Sequence, residues 1–190
     1  MSEVMARGPN FVYGQEFILA SHGAAVWEKI LADMPEDASN IWRDTLLVTG
    51  SYPFSSFKTM LASLARVVGE VPEAETEKMY EFIADQSLST IHKFFFRFAD
   101  PSFIIKRYPI LWKRFFQSGE VRVPHAEKGS ARLEFDLPEI FLDWLQPACY
   151  GYSKKAIEMA GGSDLELTPG ERRQIPGDLW RIPYELRWSE

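Results

Sequence analysis

The sequence predicts an α+β fold, an N-terminal helical bundle followed by a four-stranded, mostly antiparallel sheet built as ββαββ. Two alternating tracts and the stripe between them carry that prediction. From Ser130 the apolar residues fall at Ala131, Leu133, Phe135 and Leu137, and from Leu179 the same period of two returns at Trp180, Ile182, Tyr184, Leu186 and Trp188. A period of two gives a strand one buried and one wet face. Between them Ile140, Phe141, Trp144, Leu145, Ala148, Cys149 and Tyr152 recur at spacings of three and four. That is a helical stripe broad enough to cover a sheet.

The helical part comes first. Phe17, Ile18, Ala24, Ala25, Trp27, Ile30 and Leu31 keep helical spacing from Val12 onward, with Ser21 to Gly23 as the junction between two short helices and Met34-Pro35-Glu36-Asp37 as their end. After a segment around Ile41 to Val48, Gly50-Ser51-Tyr52-Pro53 turns the chain, and Ser51 or Pro53 opens a helix with the stripe Phe54, Phe57, Leu61, Leu64, Ala65 and Val68. Gly69 closes it. A long helix follows Pro72, where Glu73, Glu75 and Glu77 suit the positive end of the helix dipole. It is expected to bury Met79, Phe82, Ile83, Leu88, Ile91, Phe94, Phe95 and Phe98. Asp100-Pro101 reads as a cap and first-turn proline for Phe103 to Phe116, which Pro109 should kink or split.

Gly119 ends the helices, and Val121 and Val123 begin the first strand. Ala126-Glu127-Lys128-Gly129 joins it to the second, Gly161-Gly162 stops the covering helix, and Leu165 and Leu167 make the third. Pro169-Gly170-Glu171-Arg172 loops to the last strand, where Pro183 removes a ladder donor and argues for an edge or bulge. The expectation is one domain over 1–190, helical over 1–118 and ββαββ over 119–190.

With 46% hydrophobic and 14% aromatic residues among 190, the chain has material for a real core. Its net charge of −6 argues against general attraction to nucleic acid or anionic membrane unless basic residues cluster. Cys149 is the one cysteine, so no internal disulfide forms and a reducing compartment is natural. Met1 to Asn10 shows no cleavable signal pattern and no apolar run reaches membrane-span length, so a cytoplasmic protein without a membrane span is expected.

Catalytic groups are sparse. His22, His92 and His125 stand apart with no cysteine pair, which argues against a metal site. Cys149 sits in an apolar stripe and reads as a buried thiol, and Asp136 and Glu139 flank a turn and read as solvated or capping carboxylates. No nucleophile elbow, dinucleotide loop or phosphate loop is present. No catalytic residue is assigned, and the chain is not expected to be an enzyme. Lys106, Arg107, Lys113 and Arg114 interleave with Tyr108, Trp112 and Phe116, a combination that clamps an anionic ligand or, more plainly, gives a helix a wet basic side. Lys93 and Arg97, four apart, would add to it.

Helices first and ββαββ last, the chain resembles the haem–nitric oxide/oxygen binding (H-NOX) domains and their haem-free relatives, the 4-vinyl-reductase-type sensor domains and the Bet3-like trafficking subunits. The resemblance runs from about Tyr13 to Trp188. It lies in the stretch from Gly23 to Ile30, Ser51-Tyr52-Pro53, Leu61 to Gly69, Glu158 to Gly162, and Gly177-Asp178-Leu179-Trp180 through Leu186-Arg187-Trp188. It implies the fold more than the function.

Haem binding in that family needs a proximal histidine on the helix before the first strand and a Tyr-x-Ser-x-Arg group. The helix Phe103 to Phe116 has no histidine, and Ala131 to Leu137 has no such group. His92 is the one plausible haem ligand, and it would need the intervening helix to be an insertion; its plainer reading is a helix residue at the core margin. In the related sensors the ligand cavity lies between helices and one sheet face, and in Bet3-like relatives the comparable space takes an acyl chain. The resemblance thus points to Phe95, Phe98, Tyr108, Leu111, Trp112, Phe115, Phe135 and Trp144 as a cavity lining. It implies a haem-free, non-enzymatic sensory or regulatory domain that binds a hydrophobic or anionic small molecule and signals to a partner protein. A structural adaptor or dimerisation scaffold of Bet3-like type is the alternative, with a homodimer covering the edge bearing Trp180, Tyr184 and Trp188. A haem-binding gas sensor is the second.

Overall fold

Backbone chemistry sets the element boundaries in the helical part. The computed structural model describes residues 3–96 and 100–190, the side chains of 89–96 excepted. The strand β1 (Met5–Arg7) leads into α1 (Gly8–Ser21), which starts on Pro9, a residue with no N–H to waste in a first turn. Gly23, at φ +82°, reverses the chain into α2 (Ala24–Asp33). A further helix, α3 (Glu36–Arg43), occupies part of the stretch the sequence leaves unassigned. Its acids Glu36 and Asp37 lie in the first turn and Arg43 in the last, as the helix dipole favours. Trp42 is buried and donates its Nε1–H to Ser56 Oγ (2.9 Å), which in turn donates to the Ala38 carbonyl (3.0 Å).

Ser51–Pro53 is not only a turn. It forms β2, paired antiparallel with β1, a ribbon too short for periodicity to reveal. The helix α4 (Phe54–Val68) starts directly after Pro53 and ends on Gly69 in the left-handed region at φ +77°. α5 (Pro72–Phe96) follows, with Glu73 and Glu75 in its first turn. Phe82 is half-buried, and Tyr80 is buried instead. The expected burial of Ile91, Phe94, Phe95 and Phe98 falls outside the described side chains. Asp100 caps α6 (Pro101–Ile105), its Oδ1 accepting from the Ser102 N–H at 2.6 Å, and Pro109 begins a separate α7 (Tyr108–Phe115).

The sheet has five strands rather than four: β3 (Glu120–Glu127), β4 (Ser130–Pro138), β5 (Ser163–Pro169), β6 (Arg173–Ile175) and β7 (Leu179–Ser189). All described pairs are antiparallel, in the order β3-β4-β7-β5, with β6 also on β7. The last strand is therefore central, which overturns the edge placement argued from Pro183. Pro183 sits opposite Glu134 of β4, and on its other side it lies between the β5 partner Tyr184 and the β6 partner Arg181. Gly170 N–H donates to the Pro183 carbonyl (2.9 Å), so the side on which Pro183 lacks its donor faces the loop joining β5 to β6. The proline is accommodated by that gap, not by an edge. Among the outer strands, β3 carries Pro124 at a register shift, where a missing donor costs nothing.

The covering helix α8 (Leu145–Met159) begins later than its stripe suggests, because Glu139–Phe141 is a 3-10 turn. α8 packs chiefly on α5 and also on β5, while α6 and α7 cover β3 and β4. At Gly151 the two long helices approach so closely that a Cβ would lie 2.2 Å from the Glu77 carbonyl oxygen. One continuous apolar core joins the helices to the inner sheet face.

On the outer face Asp136 is nearly buried, which corrects its reading as a solvated carboxylate. Arg181 grips it through Nε and Nη2 (both 2.8 Å), and Arg122 Nη2 adds a third bond at 2.7 Å. Arg181 first, then Arg122, hold the Asp136 carboxyl below its ordinary range against the opposing effect of burial. A carboxylate with a depressed folded-state pKa stabilises above its unfolded pKa and loses that contribution as pH falls through the folded value. Asp136→Asn should therefore melt lower than the natural protein at neutral pH, with the gap closing below the ordinary aspartate value of about 3.9. A gap that is constant down to strong acid, in melts followed by circular dichroism, would contradict this.

Candidate functional site

The aromatic residues of α7 meet those of β4 and α8 at the junction of helices and sheet. α7 contributes Tyr108, Leu111, Trp112 and Phe115 from one face, β4 contributes Phe135, and Trp144 stands just before α8. These six of the eight sequence-assigned lining residues surround one space; the side chain of Phe95 and all of Phe98 fall outside what the structure describes. Tyr80, Phe116, Leu145, Ala148, Cys149 and Tyr152 complete the lining. Tyr80 was legible in principle, since Tyr80, Ala84 and Ser87 continue a buried face of α5 at spacings of four and three.

The rings leave little room. Trp112 stacks on Phe116 at 4.3 Å between centroids, and Phe135 meets Trp112 at 5.6 Å and Tyr108 at 5.9 Å, both edge-on. The remaining volume is about 30 Å³. Space of that size admits roughly one or two water-sized guests.

Polar atoms at the lining are mostly satisfied from behind. Tyr108 Oη donates to Cys149 Sγ (3.5 Å) and accepts from Ser153 Oγ (3.3 Å), and Tyr152 Oη lies 3.3 Å from Ser87 Oγ. Tyr80 Oη donates to Asn10 Oδ1 (2.8 Å), and Asn10 Nδ2 donates to the Phe115 carbonyl (2.7 Å). Trp144, only 5% exposed, makes no well-formed hydrogen bond through its Nε1–H among the described residues, and the Tyr80 hydroxyl is the polar group it lies beside. Burial pushes the Cys149 thiol up to about 11 and the Tyr152 phenol up to about 12, and it lifts Tyr80 and Tyr108 well above the ordinary phenol value. At neutral pH the lining is uncharged, and Cys149 stays a thiol rather than a nucleophilic thiolate.

The four cations assigned to anion binding do not enter this space. Lys106, Arg107 and Lys113 are exposed and Arg114 is half-buried. The Arg107 guanidinium lies 4.4 Å over the Phe103 ring. The described histidines are also elsewhere: His22 Nε2 is 3.0 Å from Glu75 Oε2, and His125 Nε2 is 3.2 Å from Ser130 Oγ on the first hairpin. His92, Lys93 and Arg97 lie outside the described side chains. Among the described residues no His, Cys, Asp and Glu group gathers in a way that could hold a metal ion.

No protein-family model matches the sequence, and no curated protein matches it. Solved structures do. The Fe(II) unliganded H-NOX protein from K. algicida aligns over 97% of this chain and 97% of its own, at a TM-score of 0.72 and 13% identity. This chain has the H-NOX fold. The oxygen complex of an oxygen-binding H-NOX domain related to soluble guanylate cyclases covers 97% of this chain and 95% of its own, at a TM-score of 0.69 and 7% identity. A point variant of the T. Tengcongensis H-NOX protein gives 0.67 and 7% over 95% and 96%. At such identities the likeness is one of fold. Within this H-NOX fold, α6 and α7, the helices preceding β3, carry Tyr108 and Trp112 and no histidine.

Proposed function

We propose that this chain is a haem-free, non-enzymatic sensory or regulatory domain that takes a small apolar ligand among the rings of α7, β4 and Trp144 and signals to a partner protein. The observation that carries the reading is the ring-lined space itself, with the poorly satisfied Trp144 N–H beside it. A guest offering one acceptor atom would give that N–H a better-formed partner than the Tyr80 hydroxyl supplies. While the rings keep their positions the guest is of diatomic size, and a larger one requires Trp112 or Phe116 to swing. Trp112 also donates its Nε1–H to the Ser118 carbonyl (3.0 Å) beside the start of β3, so a displaced ring alters the joint between α7 and the sheet. An anionic guest finds no cation there, since the basic side chains of α6 and α7 face outward or sit half-buried behind the lining.

Haem absence is part of the proposal. Sites for ligands of drug size or larger measure about 300–1,000 Å³, against about 30 Å³ here. A porphyrin has no room beside these rings as they stand. Purified protein mixed with haemin should show no new Soret band; a stable band that disappears with His92→Ala would reverse the haem-free reading. For the ligand itself, xenon dissolved under pressure should shift the indole N–H resonances of Trp112 and Trp144 in nitrogen-15 spectra, assigned by single Trp→Phe variants. Indole resonances that do not move under xenon would remove the binding space. The adaptor alternative loses the argument made for it, because the strand bearing Trp180, Tyr184 and Trp188 is central.

A further inference from the structure

The outward side of α6 and α7 has a composition unlike the rest of the chain. Residues 101–119 contain four of the 21 cations and none of the 27 acidic residues, so the remainder of the chain carries a net −10. Phe103, Lys106 and Arg107, on α6 and the turn after it, and Ile110 and Lys113, three apart on α7, are exposed, opposite the buried Tyr108, Trp112 and Phe115. Ile110 is 69% exposed, more than any other large apolar residue described, and Phe103 is 47% exposed. Among the described residues no salt bridge engages Lys106, Arg107, Lys113 or Arg114, Lys106 acting on the Asp100 carboxylate only at longer range, whereas the cations of the sheet's outer face, Arg122, Arg132 and Arg181, are all paired to carboxylates. Ile110 and the uncovered part of the Phe103 ring thus stand among Lys106, Arg107 and Lys113, three cations without a salt bridge among the described residues.

We propose that this side of α6 and α7 is a docking surface for an anionic phospholipid membrane, with Ile110 and Phe103 entering the headgroup boundary and Lys106, Arg107 and Lys113 lying against the lipid charge. Charge complementarity favours an acidic surface, since each Lys or Arg near an anionic leaflet adds attraction of roughly a further factor of five. The branched, non-planar Ile110 separates lipid from nucleic acid: a base stacks on an aromatic face, not on an isoleucine, whereas an isoleucine gains by entering an acyl boundary. No helix among the described residues is long and apolar enough to cross a membrane, so the contact is peripheral. The cations that the sequence pairs with an anionic small molecule acquire a planar anionic partner instead. This surface is independent of the ring-lined space, and either proposal stands without the other.

The test is sedimentation of the full chain with vesicles of phosphatidylcholine alone and of phosphatidylcholine with one third phosphatidylserine. Binding should appear only with phosphatidylserine and weaken as salt is raised. Lys113→Glu and Ile110→Ser should each reduce the bound fraction at least about fivefold. Both side chains are exposed, so melting temperatures should be unchanged, and an unchanged melt separates lost docking from lost folding. Equal binding to the two vesicle types overturns the proposal. So does full binding by Ile110→Ser, which would indicate charge attraction without insertion, and so does retention of a short single-stranded oligonucleotide or of an acidic protein in place of the vesicles.

Discussion

Phe135→Ala should cost about 3–5 kcal/mol of stability, the range for removing a fully buried Phe side chain. Phe135 is inaccessible to solvent and meets three rings, those of Tyr108, Trp112 and Tyr184. Tyr108 and Trp112 sit on α7, and Tyr184 sits on the neighbouring strand β7. The loss therefore falls on the contact between helices and sheet. The hole it leaves adjoins the existing space, so the variant should bind benzene where the natural protein excludes it. An apolar cavity of that kind stays dry and takes apolar guests, and ligand that binds only the folded state raises the melting temperature. Benzene should accordingly raise the melt of Phe135→Ala and leave that of the natural protein unchanged. If benzene acts equally on both, the space is already larger than the structure indicates. If Phe135→Ala unfolds at the natural temperature, the ring shell is not what holds the helices to the sheet.

Gly151→Ala should reverse the usual sign. In the middle of an exposed helix the change gains about 1 kcal/mol, because alanine orders less backbone entropy than glycine. In α8 the new Cβ would meet the Glu77 carbonyl oxygen at 2.2 Å and its carbonyl carbon at 3.0 Å, both backbone atoms of α5 that cannot rotate away. The two helices must separate, and overpacking of this kind costs about 1–3 kcal/mol. For a chain of this size that is a fall of roughly 2–4 °C per kcal/mol in the melting temperature. Ala148 and Cys149 on the same helix line the ring cluster, so indole resonances of Trp112 and Trp144 should shift as well. A variant that melts higher than the natural protein would show that α5 and α8 slide freely.

The parts legible in the sequence are those governed by local chemistry. Asp100-Pro101 capped a helix, Pro109 divided one, Gly69 ended one, and the alternation at Leu133, Phe135 and Leu137 put those residues on the inner face of β4. The parts that escaped are those decided by distant neighbours. Pro183 argues for an edge only if both sides of its strand need every donor, and the β5–β6 loop removes that need. Asp136 looked solvated because Arg181, forty-five positions away, cannot be seen from the turn it flanks. The three-residue strands β1, β2 and β6 are shorter than any pattern of period two can report. At the ring cluster, side-chain types named six members of the lining, but volume depends on how rings tilt against one another, and no spacing rule encodes a tilt.

The central place of β7 also fixes an order of events during folding. β4, β5 and β6 each find their partner in residues 179–189, so Arg132 must wait for Glu185 and Phe135 for Ile182, about fifty positions further along. Pairings over that span close slowly because the chain entropy is spent before contacts repay it. The helices and the β3–β4 hairpin can condense early on local contacts, leaving one edge of β4 and the whole of β5 and β6 without a partner until the final segment arrives. A chain halted before Leu179 would thus present an open strand edge to its surroundings, and agents that guard nascent chains would be expected to engage it there.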